Sequence, residues 1–280
     1  MSIRFSIITI NYNNAQGLNN TINSVVEQDY QNYEYIVIDG GSTDESIEII
    51  NRCKDNIDYS VSEKDNGVYH AMNKGIRAAK GDYIIFMNSG DSFYHVDTLS
   101  VYANNIEQDT GICYGHAACF NSAEGISSLI QPSQLNLSFW LFNGLNHQST
   151  AIRRDLFDLY GLYNEESKIT ADWQFFVKAY LLYQVKFKYI DMMLCRYDMS
   201  GISSVPTMAQ LHLDERENFI KNDLPQFWEE YLLLKKARNA ASPTKREQHF
   251  YRIQKSPMAY RLLKTFMDIL LIFIPKEKKK

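Results

Sequence analysis

The chain has 280 residues, of which 45% are hydrophobic and 22% are charged. These values are typical of a soluble globular protein and exclude a disordered chain, a collagen and a coiled coil. The length predicts one large α/β domain, alone or with an appendage. The four cysteines form no Cys-x-x-Cys pair, so the sequence favours a reduced, cytoplasmic protein over a disulfide framework or a zinc site.

Charge is distributed unevenly along the chain. Residues 1–234 carry 16 lysines and arginines against 30 aspartates and glutamates, a net charge of −14, whereas residues 235–280 carry 13 against 3, a net charge of +10. The acidic body argues against nucleic acid as a partner, because binding to phosphates depends on cations. The basic segment predicts an interaction with an anionic partner.

The first ninety residues alternate strand and helix signals. Apolar runs predict strands, and apolar residues at helical spacing predict helices. The predicted elements are a strand at 5–10, a helix at 15–28, a strand at 33–38, a helix from about 43, a short strand at 58–62, a helix at 68–79 and a strand at 83–87. This alternation predicts an α/β fold with a mostly parallel, doubly wound sheet flanked by helices.

The pattern is less regular after about residue 95. It predicts a helix at 96–106, a strand at 112–115, a polar stretch at 121–134, a helix at 171–182 and strands at 185–190 and 193–197. After Pro206 the chain turns helical, through about residue 238 and again after Pro243. The predicted domains are therefore residues 1–205 and a helical extension at residues 206–280.

Three polar clusters follow predicted strands, at residues 11–13, 39–42 and 88–91. Ligands of parallel sheets bind beyond the carboxyl ends of the strands, so we expect these clusters to converge on one site. No Gly-x-Gly-x-x-Gly or Gly-Lys-Ser/Thr loop is present, which leaves dinucleotide and Walker-type sites unsupported. Asp39 and Asp65 can accept hydrogen bonds from ring N–H groups or ribose hydroxyls, and Asp91 can ligate a hard divalent cation.

Five segments together resemble the motifs of the family 2 glycosyltransferases, a group of inverting enzymes with the GT-A fold. The resemblance runs from Ser6 to about Ser204 and implies a GT-A-like domain that binds a nucleotide sugar. The segments are Ile8-Thr-Ile-Asn-Tyr-Asn13, Ile38-Asp-Gly-Gly-Ser-Thr-Asp44, Ser62-Glu-Lys-Asp-Asn-Gly-Val-Tyr69 with Ala71-Met-Asn-Lys-Gly75, Phe86-Met-Asn-Ser-Gly-Asp91, and Ala171-Asp-Trp-Gln-Phe-Phe176.

The resemblance also implies roles for single residues. Asp172 would be the catalytic base, which removes a proton from the acceptor hydroxyl. Tyr12 would pack against the base of the nucleotide, Asp39 would read the uracil edge and Asp65 would help to hold the base. Asn73 and Lys74 would lie near the ribose and phosphate. The whole implied donor-binding set is Thr9, Asn11, Tyr12, Asp39, Asp65, Asn73, Lys74, Asn88 and Ser89.

The metal motif departs from the family pattern. Asn88 and Gly90 stand where the family carries two aspartates, which leaves Asp91 as the only carboxylate. We expect Asp91 to hold a divalent metal, Mg or Mn, because Mg²⁺ commonly uses only one or two protein carboxylates. Low affinity for free metal is expected.

Each motif also has a structural interpretation. The 39–42 and 88–91 segments could be turns, and Asp172 could be a charge favoured at a helix N-terminus. His147 and Trp173 are candidates for the acceptor site, although a structural histidine and a core tryptophan are as plausible. The order and strand-end placement of all the motifs together favour the functional interpretation.

The last 24 residues predict an amphipathic helix with flanking lysines. Residues 257–280 place apolar side chains on one helical face and Arg261, Lys264 and Asp268 opposite. This stretch falls short of the ~20 apolar residues that span a bilayer, so a membrane surface is the expected partner. A helix docked on the catalytic domain is the alternative. We expect a cytoplasmic enzyme, peripheral on the inner face of the cytoplasmic membrane.

The sequence thus predicts a metal-dependent inverting glycosyltransferase. Its donor would be a nucleotide sugar, with UDP expected, and its acceptor a glycan or lipid-linked hydroxyl in cell-surface polysaccharide synthesis. A sugar-phosphate nucleotidyltransferase is one alternative, but it should carry a Gly-rich, basic loop where this chain has Asn11-Tyr-Asn-Asn14. A catalytically inactive nucleotide-sugar-binding protein is the other, supported by Asn88 and Gly90.

Overall fold

The structure is a computed structural model of the chain. It describes residues 2–121, 125–201 and 206–241, with Ser256 and residues 258–259 and 261–263 beyond them. These residues divide into two compact units, Met1–Pro225 and Gln226–Lys280.

The first part of the sheet is all parallel. Strands β2 and β4 flank β1, and β3 lies outside β2, so the strand order is β3-β2-β1-β4. Strands β1, β2 and β4 are buried and mostly apolar, the edge strand β3 is largely exposed, and the helices bury only one face. The elements are β1 Phe5–Asn11, α1 Ala15–Val26, β2 Tyr33–Asp39, α2 Ser46–Arg52, β3 Tyr59–Ser62, α3 Val68–Ala78 and β4 Tyr83–Phe86.

The second part of the sheet is mixed. It continues from β4 in the order β8-β6-β9-β5, with antiparallel pairs at β4·β8, β8·β6 and β9·β5 and a parallel pair at β6·β9. The elements are β5 Ser92–Phe93, α4 Thr98–Asn105, β6 Ile112–Asn121, β7 Gly125–Leu129, α5 Leu137–Phe142, β8 Thr150–Arg153, α6 Asp155–Tyr160, α7 Ala171–Leu181 and β9 Phe187–Asp198. The predicted α/β class, with a mostly parallel sheet between helices, is confirmed.

Several strands differ from the sequence prediction. Strands β5 and β8 were not predicted, and β6 continues past residue 115 to Asn121. The segments predicted at 185–190 and 193–197 form the single strand β9, whose pairing with β6 shifts register near His116. A shift of this kind absorbs an extra residue without ending the strand. Strand β7 lies in a stretch predicted to be irregular, because all five of its residues are exposed and it shows no apolar alternation.

The C-terminal region is helical, with α8 at Ala209–Asp223 and α9 at Trp228–Ala241. Helix α8 belongs to the first compact unit, although the sequence analysis assigned residues 206–225 to the extension. None of the helices that the structure describes is both long and apolar enough to cross a bilayer. Most of residues 257–280, with the predicted amphipathic face, lies outside the described residues.

Candidate functional site

A cleft of about 1030 Å³ opens where β1, β2 and β4 end. This volume is at the upper end of the ~300–1,000 Å³ common for ligand sites. Its lining combines the loops after those three strands with the start of α3, the segment before β8, the start of α7, the end of β9 and one face of α8. The polar clusters predicted to converge therefore do so, because parallel strands end at one edge of the sheet.

One end of the cleft, which we call the base end, is formed by Tyr12, Gly40 and Asp65. The Tyr12 ring is 68% exposed and lines the cleft. A Cβ at residue 40 would lie 3.2 Å from the Tyr12 ring and 3.3 Å from Asp65 Oδ2, so glycine keeps this space open. The base end therefore offers a flat ring and a carboxylate on either side of an open slot.

Asp65 is held in place through one oxygen only. Its Oδ1 contacts Nδ1 of His70 at 2.9 Å and Nζ of Lys74 at 2.7 Å. Its Oδ2 is buried and has no hydrogen-bond partner among the described residues. An unsatisfied buried acceptor is costly, so this oxygen is suited to a ligand N–H or O–H.

Asp39 lies behind the wall of the cleft instead of in its lining. The side chain is fully buried and accepts hydrogen bonds from the Asn11 amide, the Gly41 N–H, the Ser62 hydroxyl and both the N–H and the hydroxyl of Ser42. Burial alone would raise the pKa of Asp39, but these hydrogen bonds outweigh it and the pKa is lowered. The carboxylate shapes the loop after β2, and its predicted contact with the base stays a prediction.

Three other predicted donor-site residues also lie outside the lining. The Thr9 hydroxyl bonds the Met87 carbonyl at 2.7 Å, and the Asn73 amide donates to the Tyr163 carbonyl at 2.9 Å. Lys74 forms ion pairs with Glu63 and Asp65, both at 2.7 Å. Each contact ties one element to another, and Lys74 reaches the site only through Asp65.

The middle of the cleft is lined by Asn11, Asn88 and Ser89, three of the residues expected to bind the donor. The Asn11 amide donates to Asp39 at 2.7 Å, while its own Oδ1 is buried and unpartnered among the described residues. Asn88 Oδ1 is likewise buried without a described partner. The Ser89 hydroxyl donates to the Asn14 carbonyl at 3.2 Å. Two buried oxygen acceptors without a described partner thus belong to side chains that line the cleft.

Asp91 is buried in the same region and lies beside a second carboxylate, that of Asp198. Asp91 accepts from the Gln148 amide at 2.8 Å and from the Asp198 backbone N–H at 2.9 Å. Burial, with a smaller contribution from the charge of Asp198, raises the pKa of Asp91 to about 7. The hydrogen bonds from the Asp198 N–H and Gln148, together with the nearby His147, act in the opposite direction but do not outweigh burial. Two acidic side chains so close together favour a bound cation.

Asp198 occupies the space that a side chain at residue 90 would need. Gly90 has a φ of 105°, and a Cβ there would lie 2.9 Å from Asp198 Oδ2. The carboxylate of Asp198, at the end of β9, therefore lies close to where an acidic side chain at position 90 would begin. Sequence analysis missed Asp198 because only the β6·β9 pairing brings it to the cleft.

These residues suit a divalent metal. Asp91 and Asp198 offer carboxylate oxygens, and the buried Oδ1 of Asn88 and Oε1 of Gln148 have no partner among the described residues. Such oxygen donors are the ligands that Mg²⁺ and Mn²⁺ prefer. Within the described ranges no group of three or more His, Cys, Asp or Glu could hold a metal. The protein would thus supply part of a coordination sphere, leaving room for a ligand.

Asp172 lies in the first turn of α7 and is connected to the middle of the cleft by His147. Its Oδ2 contacts Nδ1 of His147 at 2.8 Å, and its Oδ1 accepts from the Tyr69 hydroxyl at 2.9 Å. The other ring nitrogen of His147 lies 3.1 Å from the Asn88 amide. Burial alone would raise the pKa of Asp172, but His147 and Tyr69 stabilise its charged form and lower the pKa.

Trp173 lies beyond Asp172 with its ring fixed. The side chain is 3% exposed, and its Nε1 donates to the Trp140 and Asn143 carbonyls at 3.0 and 2.8 Å. The ring lines the cleft and carries the Arg216 guanidinium 4.5 Å from its centroid. His147 and Trp173, the two predicted acceptor-site candidates, are therefore both in the cleft.

Known proteins are similar to this chain both in sequence and in fold. The family model described as "Glycosyl transferase family 2" matches residues 6–161. A PGL/p-HBAD biosynthesis glycosyltransferase of Mycobacterium bovis is 30% identical over 203 residues, which cover 70% of this chain and 77% of that protein.

Many solved structures are similar in fold, and two serve as examples. The first is Staphylococcus aureus TarS 1-349 in complex with UDP-GlcNAc, with a TM-score of 0.63 and 20% identity over 82% of this chain and 72% of that one. In its complex with UDP the match spans 60% of the TarS chain. The second is the mannosyltransferase PcManGT of Pyrobaculum calidifontis with GDP-Man and Mn²⁺, with a TM-score of 0.56 and 15% identity over 97% of this chain and 81% of that one.

The family match covers more than half of the chain, and the fold neighbours confirm the expected GT-A-like architecture. The chain belongs to glycosyl transferase family 2 and is a nucleotide-sugar-dependent glycosyltransferase.

Proposed function

We propose that this protein transfers a sugar from a UDP-sugar, with inversion, to a hydroxyl of a glycan or lipid-linked acceptor in cell-surface polysaccharide synthesis. One observation carries the proposal: contacts of 3.1 and 2.8 Å run from Asn88 through His147 to Asp172, so that the proposed metal site and the proposed base share one cleft. TarS has been solved with UDP and UDP-GlcNAc, which supports UDP as the nucleotide.

The base end would hold the nucleobase. Tyr12 offers an exposed ring for stacking, and Gly40 leaves the adjacent space open. The unpartnered Oδ2 of Asp65 would accept a ring N–H such as that of uracil. His70 and Lys74 would orient this carboxylate through its other oxygen.

Asp91 and Asp198 would hold a divalent metal, Mg or Mn, with the Asn88 and Gln148 side-chain oxygens beside it. When bound, such a metal neutralises the negative charge that develops on a departing diphosphate. Mn²⁺ in the PcManGT complex supports a metal in this fold. Gln148 would keep Asp91 oriented through its 2.8 Å hydrogen bond.

Asp172 would take the proton from the acceptor hydroxyl during a single displacement at the anomeric carbon. Its lowered pKa keeps the carboxylate ionised, and it interacts with three hydrogen-bonding groups: His147, the Tyr69 hydroxyl and the Trp173 N–H. A carboxylate has about four acceptor positions, so one remains for a hydroxyl proton. His147 and Tyr69 would act as positioning residues that orient the base.

We also propose that the protein works at the inner face of the cytoplasmic membrane. The net charge of +10 at residues 235–280 and the amphipathic pattern at residues 257–280 support this location. A lipid-linked acceptor would then lie at the same surface as the enzyme.

Turnover of UDP-sugars with Mn²⁺ tests the proposed activity. We expect slow release of UDP from at least one UDP-sugar, faster release with a matching acceptor, and loss of both in Asp172→Asn. Binding of UDP-sugars without turnover under any acceptor condition would favour an inactive binding protein instead. Release of diphosphate with a nucleoside triphosphate and a sugar phosphate would favour a nucleotidyltransferase.

A further inference from the structure

The cleft ends beyond Asp172 in two cationic side chains and a histidine. Lys168 precedes α7, and His212 and Arg216 lie one turn apart on α8, so that all three line the cleft. We call these three residues the cationic end. The order along the cleft follows from contacts, because His147 connects Asn88 to Asp172, and Asp172 acts electrostatically on His212.

Arg216 is held in a fixed orientation at this end. Its guanidinium lies over the Trp173 ring, which is itself fixed by two hydrogen bonds. A Cβ at Gly144 would come within 2.8 Å of that ring and 3.3 Å of Arg216 Nη2. Glycine at position 144 therefore provides the space for the stacked pair, and the guanidinium is preorganised in the cleft.

Lys168 is brought to the cleft by Glu215. The Glu215 carboxylate accepts from the Lys168 and Ile169 N–H groups at 2.6 and 3.2 Å and from the Ser167 and Thr170 hydroxyls at 2.7 and 2.8 Å. These bonds fasten the loop before α7 to α8. The Lys168 ammonium itself forms no ion pair with a residue that the structure describes.

His212 completes the group as a neutral donor. Burial and then the charge of Arg216 lower the pKa of His212. A neutral imidazole can donate one N–H, and an anion bound next to it would favour its protonation. A guanidinium fork, an ammonium and an imidazole together match the several oxygens of a phosphoryl group, whereas sugar hydroxyls need no cations.

We propose that the cationic end binds a phosphoryl group carried by the acceptor. This inference rests on the proposed function, because it takes Asp172 as the base that meets the acceptor hydroxyl. The donor diphosphate belongs at Asp91 and Asp198, on the other side of His147, so the cationic end is left for the second substrate. The acceptor class is therefore a phosphate-bearing glycan or a lipid-linked sugar phosphate.

The test is calorimetric binding of inorganic phosphate to the protein already saturated with UDP and Mn²⁺, at ionic strength held constant with chloride. We expect phosphate to bind the wild type, and Arg216→Gln and Lys168→Met each to weaken it about tenfold. Arg216→Lys keeps the charge without the fork and should give an intermediate loss. Lys221→Met, on the same helix but outside the cleft lining, should bind phosphate as the wild type does.

Several results would overturn the proposal. The proposal would be refuted if phosphate bound the wild type no more tightly than chloride does. It would also be refuted if Lys221→Met lost as much phosphate affinity as Arg216→Gln. If Arg216→Gln weakens UDP as much as phosphate, the cations bind the donor diphosphate instead. UDP that fails to bind the wild type at all would refute the proposed function, and phosphate binding would still be measurable without it.

Two further ligands identify the source of the phosphoryl group. Geranyl phosphate stands for a lipid-borne group and glucose 6-phosphate for a glycan-borne one. The ligand that binds more tightly identifies the source, and Arg216→Gln should bind both ligands more weakly than the wild type does. An undiminished affinity of that variant for both would contradict the phosphoryl site.

Discussion

Replacing Asp172 by asparagine removes the proposed base while keeping its size. We expect transfer to fall by roughly 10²–10⁴, the usual contribution of a general base, which corresponds to ~3–5 kcal/mol of transition-state stabilisation. Donor binding should stay within about twofold of the wild type, because the base end is built from Tyr12, Gly40 and Asp65.

The same substitution should lower stability by a predictable amount. Asp172 accepts from His147 at 2.8 Å and from Tyr69 at 2.9 Å, and an asparagine amide has only one oxygen for these two donors. Losing one hydrogen bond to a charged acceptor costs about 1.5–3 kcal/mol. Because 1 kcal/mol shifts the melting temperature by roughly 2–4 °C in a domain of this size, melting should fall by several degrees.

Tyr69→Phe is the matched control for this prediction. It removes the 2.9 Å hydrogen bond that helps to orient the carboxylate but leaves the carboxylate itself in place, so it should destabilise the fold similarly and reduce transfer much less than Asp172→Asn does. The test compares the wild type, Asp172→Asn and Tyr69→Phe by steady-state transfer rates, UDP calorimetry and melting curves. Wild-type-like turnover by Asp172→Asn, or an equal loss of turnover in both variants, would refute Asp172 as the base.

Four further predictions concern the base end, the metal site and the basic segment. Asp65→Asn should weaken UDP about tenfold with or without metal, and calorimetry that shows no change would contradict base recognition by Asp65. The pKa of Asp91 is raised to about 7, so Mn²⁺ that binds below pH 7 must displace a proton. Calorimetry in buffers of different ionisation enthalpy should show nearly one proton released per bound Mn²⁺ at pH 6 and almost none at pH 8. Equal proton release at both pH values would refute this assignment. The same shift makes the metal-free protein lose stability as pH rises from about 4 to 7, because the folded state holds the proton more tightly than the unfolded state, and Asp91→Asn should flatten this trend in melting curves. Removing residues 257–280 should release the protein from anionic vesicles while leaving UDP binding intact, and unfolding of the truncated protein would favour a helix docked on the domain.

The local pattern of the sequence was sufficient for the first half of the fold and for the location of the site. Strands β1, β2 and β4 are buried apolar runs that end in polar residues, and parallel pairing then brings Asn11, Asn88 and Asp91 together. Both the elements and the edge on which they converge are consequences of short-range signals, which motif reading detects.

Features that depend on pairing between distant segments were missed. Asp198 reaches Asp91 only because β9 pairs with β6 as one long strand. The role of α8 depends on Glu215, whose four bonds to the loop before α7 cross more than forty residues of sequence. Local periodicity carries no information about such long-range contacts, so the cationic end could not be predicted from the sequence.

Motif reading also could not tell which polar residues face the cleft. Thr9, Asp39, Asn73 and Lys74 lie in the expected motifs, yet all four are engaged by neighbouring protein groups outside the lining. A buried carboxylate and one that faces a ligand look alike in a sequence. The difference lies in the hydroxyl and amide donors that surround each one.

The central claim is that this cleft binds a UDP-sugar through a metal held at Asp91 and Asp198. Calorimetry of UDP-sugars with Mn²⁺ and with EDTA, on the wild type and on Asp198→Asn, tests it most directly. We expect binding with Mn²⁺ that weakens at least tenfold both in EDTA and in the variant. Metal-independent binding of equal strength in both proteins, or no binding of any UDP-sugar, would contradict the account.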